Sequence, residues 1–328
     1  MPSLYRDAYS RVRNSVLRPG PDPTYADGDD ATWMDVDWPA LSRRVEVDGR
    51  GVNVIDGGDM SPPAPPLLFL HGLGGVWQNW LLNLPPFMGS HRVVALDLPG
   101  FGQSEMPAGE LSIPALAHTV DAVCRELGLE DPVVVGNSMG GFVGAEMAVS
   151  FPTRVSKLVL VSAAGLSTEH LVREPLLVGA RMWTLLTSHG GVRAEIAVTR
   201  PRLRRAALQF IVRYPERLSV PLALEIVRGS GSPGFIRAFD ALMRHSIRES
   251  LERIEVPVLV VWGRNDVLVP VEDAETYEHL IGENAHSVIF DDTGHLPMLE
   301  RPSRFNELLS GFIAGEREPE RGVEGVSA

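Results

Sequence analysis

The run Val133-Val134-Val135-Gly136-Asn137-Ser138-Met139-Gly140-Gly141 is a β-branched segment that stops at a Gly-x-Ser-x-Gly turn, and a helical pattern follows from Phe142 to Ser150. A strand that becomes a helix within a few residues forces its turn residue into strained geometry. Glycines two before and two after that residue let strand and helix approach each other. The serine is left at the tip of the turn with its hydroxyl exposed, which is a way to present a nucleophile.

A serine hydroxyl is a poor nucleophile at neutral pH. An imidazole must take its proton, and a carboxylate must hold that imidazole in the right tautomer. Two later segments supply both groups. Val256-Pro257-Val258-Leu259-Val260-Val261-Trp262-Gly263 reads as a buried strand, and the polar turn after it carries Asp266. Ser287-Val288-Ile289-Phe290 reads as another strand, followed by a loop with His295. The order Ser138, Asp266, His295 is that of one hydrolase architecture. Asp291 and Asp292 are alternative partners for His295, although they precede it closely. An imidazolium cannot accept the serine proton, so activity is expected to fall on the acid side.

Upstream, Leu67-Leu68-Phe69-Leu70 runs into His71-Gly72-Leu73-Gly74-Gly75. Attack on an ester places negative charge on the carbonyl oxygen, and backbone N–H groups fixed in advance stabilise it. The N–H groups of Leu73 and Met139 are the expected donors. His71, Gly72 and Asn137 are expected to touch substrate, as are Trp183 and Phe239 from further along the chain.

These residues together resemble the α/β-hydrolase family, from about residue 43 to about residue 314. Asp97-Leu98-Pro99-Gly100-Phe101-Gly102-Gln103-Ser104 is similar to that family's D-x-P-G-x-G-x-S turn after a strand. The resemblance implies a mostly parallel eight-stranded sheet covered by helices. It also implies a helical cap between the sixth and seventh strands, roofing Ser138. Epoxide hydrolases and haloalkane dehalogenases of the family carry aspartate at the turn, and position 138 is serine. One fold carries many chemistries, so the resemblance reaches the family and not the substrate.

The pattern along the chain divides accordingly. Residues 1–40 are an N-terminal extension, and 41–165 with 251–314 form the core. Residues 166–250 form the cap, and 315–328 a polar tail. In the extension Leu4, Tyr5, Tyr9, Val12 and Val16 fall near helical spacing. They are read as a helix packed on the body of the protein, with a membrane or partner helix as the other reading. Arg44–Val47 and Val52–Ile55 flank Asp48-Gly49-Arg50-Gly51 as a hairpin. Further strands are expected at 67–70, 92–97 and 157–161, with helices at 113–127 and 302–314. In the cap, Trp183, Leu185, Leu186, Phe210, Phe235, Phe239, Leu242 and Met243 are candidates for an inner apolar face.

Composition bounds the partners. A chain of 328 residues, 44% hydrophobic and 22% charged, can bury a large core. No apolar run reaches the ~18 residues of a membrane span, so stable insertion is not expected, although transient lipid contact is compatible. A net charge of −12 disfavours nucleic acid. The charge is uneven: Leu166 to Arg253 holds 14 Arg, no Lys and 8 acids, a net +6. The arginines are expected to face mostly outward, because unpaired buried charge is costly. Cys124 is the single cysteine, read as a buried small hydrophobe in a reducing cytoplasm. Asp97 is read as a turn cap, and His189 and His245 as surface or cap residues. No cofactor is expected: there is no G-x-G-x-x-G after a strand, no P-loop and no metal-ligand spacing. The sequence names no oligomeric state.

The leading functional reading is a serine hydrolase acting on carboxylic esters with an apolar part. The string Gly136–Gly141 also resembles the turn of meta-cleavage product C–C hydrolases. Those place Trp after the histidine, where this chain has Leu296, followed by Pro297-Met298-Leu299-Glu300. A cofactor-free haloperoxidase-like activity shares the same three residues. A non-enzymatic ligand-binding role is the reading outside catalysis.

Overall fold

The computed structural model describes residues 24–27, 32–60, 64–167, 196, 198–229 and 231–316. Its apolar runs pair into one eight-stranded sheet of order β1-β2-β4-β3-β5-β6-β7-β8. β1 (Ser42–Val47) and β2 (Arg50–Gly58) form the expected hairpin, and β2 lies antiparallel to β4 (Arg92–Leu96). From there the sheet is parallel through β3 (Leu67–Leu70), β5 (Val133–Asn137), β6 (Lys157–Val161), β7 (Val258–Gly263) and β8 (Ala285–Phe290). The central strands are continuous apolar runs because both faces are covered. Leu68, Leu70, Val134 and Leu160 enter one apolar core, and their neighbours Leu67, Phe69, Val135 and Val161 enter the other.

The covering helices follow the strands. α1 (Ile113–Glu126) is capped by Ser112 Oγ, which accepts from Ala115 N at 3.3 Å, with Pro114 in its first turn. α2 (Met139–Ser150) follows β5 with no intervening loop. The long insertion between β6 and β7 holds no strand among its described residues. The described part of that insertion is helical: α3 (Pro201–Leu208), α4 (Val220–Val227) and α5 (Phe235–Arg244). α5 buries Phe235, Ala238 and Leu242 in the core that holds Phe142, whereas α4 buries Leu222 and Ile226 in the other. Most described arginines of the insertion face outward, but Arg204 and Arg213 are buried. Arg213 Nε meets Asp292 Oδ1 at 3.2 Å, so a partner offsets part of the cost of enclosing that charge. α6 (Glu272–Ile281) and α7 (Pro302–Ala314) flank the last strand. The amphipathic pattern at residues 4–16 lies outside the described residues, as do Trp183, Leu185, Leu186 and His189. Among the described residues, no helix is long and apolar enough to cross a membrane.

Candidate active site

Every residue from Pro132 to Val149 is buried except Ser138. The turn that exposes it is strained in the way the glycine pattern predicts: Ser138 sits at φ 53 and ψ −115. The glycines are sterically required. A Cβ at Gly136 would lie 2.3 Å from Gly140 O, and one at Gly140 would lie 2.2 Å from Leu70 O. The strained peptide is tied into the sheet on both sides. Ser138 N donates to Val161 O at 2.9 Å, and Ser138 O accepts from Ala164 N at 3.1 Å. Tyr277 Oη donates to Ala164 O at 2.6 Å, so α6 braces the segment that receives Ser138.

Asp266 follows β7 on a tight turn. Its Oδ1 accepts from Leu268 N at 2.8 Å and Val269 N at 3.0 Å. That leaves Oδ2 for His295 Nδ1, 2.7 Å away, with the Asp266 side chain fully buried. A carboxylate on Nδ1 sets the ring so that Nε2 is the free nitrogen. The alternatives are engaged elsewhere: Asp291 pairs with Arg264, and Asp292 accepts from Tyr214 Oη at 2.9 Å. The Ser138 hydroxyl makes no hydrogen bond among the described residues, so only the Asp266 arm of the expected relay is closed. Catalytic hydrogen bonds in unliganded sites often tighten only with substrate present.

The turn after β3 lies against Ser138. A Cβ at Gly72 would stand 3.0 Å from Ser138 Cβ. Among the described residues neither the Leu73 nor the Met139 N–H has a protein acceptor. Met139 opens α2, where the first N–H groups have no intrahelical partner.

Two expected substrate contacts are corrected. His71 is fully buried. Its Nε2 accepts from Leu98 N at 2.9 Å, which makes Nδ1 the protonated nitrogen, donating to Gly72 O at 2.7 Å. Desolvation by that burial lowers its pKa below the ordinary value. Asn137 is 2% exposed, and its Nδ2 donates to Val161 O at 3.0 Å and to His295 O at 3.3 Å. Both side chains frame the site and present no surface to a ligand. Phe239 is half-buried on α5.

Other polar residues fall into place. Asp97 accepts from Asn53 Nδ2, Trp77 N and Gln103 N at 2.9, 2.9 and 3.0 Å, locking the turns after β3 and β4 together. His245 Nε2 meets Glu146 Oε2 at 2.8 Å, and its ring stacks on Phe142, which ties the end of α5 to α2. Burial pushes the Cys124 thiol up to about 12, so it stays protonated and inert. Among the described residues no cluster of His, Cys, Asp and Glu has the geometry to hold a metal.

Sequence reasoning passed over Glu300. It is fully buried, and its carboxylate accepts from Gly294 N at 2.9 Å and Leu296 N at 3.2 Å, on either side of His295. The available signal was a lone acid directly after the apolar run Leu296–Leu299, five residues past the histidine.

Residues 65–302 match a family model described as the alpha/beta hydrolase fold. The chain is 33% identical over 260 residues to the dihydrolipoyllysine-residue acetyltransferase component of the acetoin cleaving system of Cupriavidus necator. That match covers 77% of this chain and 64% of the relative, so the chain spans under two thirds of it. It is 30% identical over 291 residues to 2-hydroxymuconate semialdehyde hydrolase of Pseudomonas sp. (strain CF600), covering 84% of this chain and 95% of that one. Among solved structures, a bacterial membrane phospholipase A superposes with a TM-score of 0.66 at 26% identity, over 85% of this chain and 87% of that one.

Proposed function

From the premise that the chain belongs to the α/β-hydrolase fold family, we propose that it is a serine hydrolase of carboxylic esters with an apolar part. The observation that carries the reading is how Asn137 joins two sites. Its backbone precedes the strained Ser138 turn, while its Nδ2 donates to the carbonyl of His295, whose ring is already held by Asp266. Ser138 and His295 thereby share one edge of the sheet, beyond the C-terminal ends of β5, β7 and β8, which supports the roles of nucleophile and base.

In this mechanism His295 Nε2 takes the Ser138 proton as Oγ attacks the ester carbonyl. The Leu73 and Met139 N–H groups receive the oxyanion. Collapse breaks the carbonyl–alkoxy bond, and His295 returns the proton to the departing alcohol. Water then attacks the acyl-Ser138, losing its proton to His295, and Ser138 leaves with that proton. Only water is consumed, so the cycle needs no redox partner. The helical insertion serves as the cap and supplies apolar lining, Phe239 included. A cytoplasmic setting suits the single buried cysteine.

The second reading is hydrolysis of a C–C bond in a dienoic diketone. The similarity to 2-hydroxymuconate semialdehyde hydrolase over most of both chains favours it. One experiment separates the two. Fluorophosphonate is expected to label the protein at Ser138 and not the Ser138→Ala variant. p-Nitrophenyl esters of graded chain length are then assayed beside a dienoic diketone. Preferential turnover of the diketone would replace the ester reading, and no labelling would remove the serine mechanism altogether.

A further inference from the structure

Three consecutive amides hold the His295 loop. Gly294 N and Leu296 N both donate to Glu300, and His295 N donates to Ile211 O at 2.9 Å. The backbone that aims the imidazole is therefore clamped by a carboxylate on both flanks and by the insertion in the middle.

Glu300 is itself held from two remote places. Its Oε2 accepts from Arg213 N at 2.8 Å and from the Tyr25 hydroxyl at 2.8 Å. The same hydroxyl accepts from Tyr214 N at 2.9 Å, so one oxygen links the extension, the insertion and the histidine loop. Residues around Tyr25 repeat the attachment. Ala26 N donates to Glu300 O at 2.8 Å, and Arg301 Nη1 donates to Thr24 Oγ1 at 2.9 Å. The Tyr25 ring is 2% exposed, packed edge-on against Tyr214 at 5.3 Å, with the Arg301 guanidinium over its other surface at 5.3 Å. Glu300 is inside the stretch matched by the family model, at 65–302, and Tyr25 lies forty residues before it.

We infer that residues 24–27 are a positioning strap for His295, with Tyr25 and Glu300 as positioning residues that act through the Gly294–Leu296 backbone. The inference rests on the proposed role of His295 as base. Neither residue meets substrate. Tyr25 fixes the Glu300 carboxylate, Glu300 fixes the two peptides flanking His295, and those peptides fix the ring against Asp266. A buried carboxylate with several donors has one low-energy orientation, and loss of a donor lets it rotate. The strap thus couples the extension and the insertion to the base, while the Ser138 peptide itself is fastened to Val161 and Ala164.

The test uses the full chain with Tyr25→Phe, which removes one hydroxyl and keeps the ring packing, and Glu300→Gln, which removes acceptor capacity. In Tyr25→Phe, kcat for p-nitrophenyl butyrate is expected to fall about tenfold with KM within about twofold, matching the loss of the hydrogen bond to Glu300, the one of the hydroxyl's two buried bonds that bears on the histidine loop. Amide exchange at Gly294, His295 and Leu296 is expected to quicken about tenfold, with protection of β5 and α2 unchanged. Glu300→Gln is expected to do both more strongly. Unchanged kcat and unchanged exchange in Tyr25→Phe would overturn the strap. So would a uniform rise in exchange across the whole chain, since that marks general loss of stability. If the unmodified protein neither cleaves the ester nor takes fluorophosphonate, the hydrolase reading fails by itself. Exchange at 294–296 in Tyr25→Phe then decides alone: faster there supports the strap, unchanged overturns it.

Discussion

The two halves of the site are held in different ways. Ser138 owes its conformation to its own neighbourhood, a strand, two glycines and a helix within residues 133–150, and Val161 and Ala164 only fasten its peptide to the sheet. His295 is placed by residues far away in sequence, Asp266, Asn137 and Ile211, and by the nearby Glu300, which the distant Tyr25 and Arg213 back. A nucleophile turn can be built into one supersecondary unit because its requirement is a backbone conformation. A base must be aimed at something, so its position is set by what converges on it.

The largest expected effect tests the local half. Ser138→Ala should lower kcat on the order of 10⁶-fold while thermal unfolding stays within a few degrees of the unmodified protein. An active Ser138→Ala protein would end the mechanism. Asp266→Asn tests the remote half and should cost on the order of 10⁴-fold in kcat. Asparagine keeps the shape but can leave the wrong ring nitrogen protonated. Retention of most activity would mean that another group orients His295.

Gly140→Ala separates the halves by stability. The added Cβ would fall 2.2 Å from Leu70 O, a backbone atom that cannot turn aside. Urea unfolding should show a loss of about 3 kcal/mol, an overpacking cost, and a smaller loss would mean that α2 shifts easily.

The smallest expected effect is a contrast in pH dependence. Burial lowers the pKa of His71, so the unfolded chain binds the proton more readily. The stability His71 contributes is full above the ordinary 6.5 and is lost as pH falls below it. Burial raises the pKa of Glu300, desolvation outweighing its amide and Tyr25 donors, so the folded chain binds the proton more readily. Its contribution is full below the ordinary 4.5 and is lost as pH rises through the raised folded value. Melting temperatures across pH should therefore show a flatter course below 6.5 in His71→Gln and a flatter course as pH rises above 4.5 in Glu300→Gln, each against its own lower baseline. Parallel curves for either variant would mean that the group does not titrate with unfolding.

Much of the fold was legible in the sequence for reasons that concern neighbours along the chain. Apolar runs marked β3 to β8, the Asp48–Gly49 turn marked the hairpin, and the break after residue 166 marked the insertion. The placing of Ser138, Asp266 and His295 after β5, β7 and β8 followed from strand ends, because loops after parallel strands gather at one edge of the sheet. What misled was proximity in sequence. Asn137 adjoins Ser138, and His71 stands two residues before Leu73, yet both side chains are enclosed by their own hydrogen-bond partners.

The sequence by itself determined the strained serine turn and the strand–helix alternation that sets Ser138, Asp266 and His295 on loops after strands, since each is a short-range pattern of size, branching and backbone freedom. Only the tertiary structure decided which carboxylate meets His295, which side chains brace rather than bind, and that Tyr25 reaches Glu300 across 275 positions of chain. Those contacts are chosen by burial. A polar group shut away from water must find a partner among whatever the packing brings near, and no local pattern records what that will be.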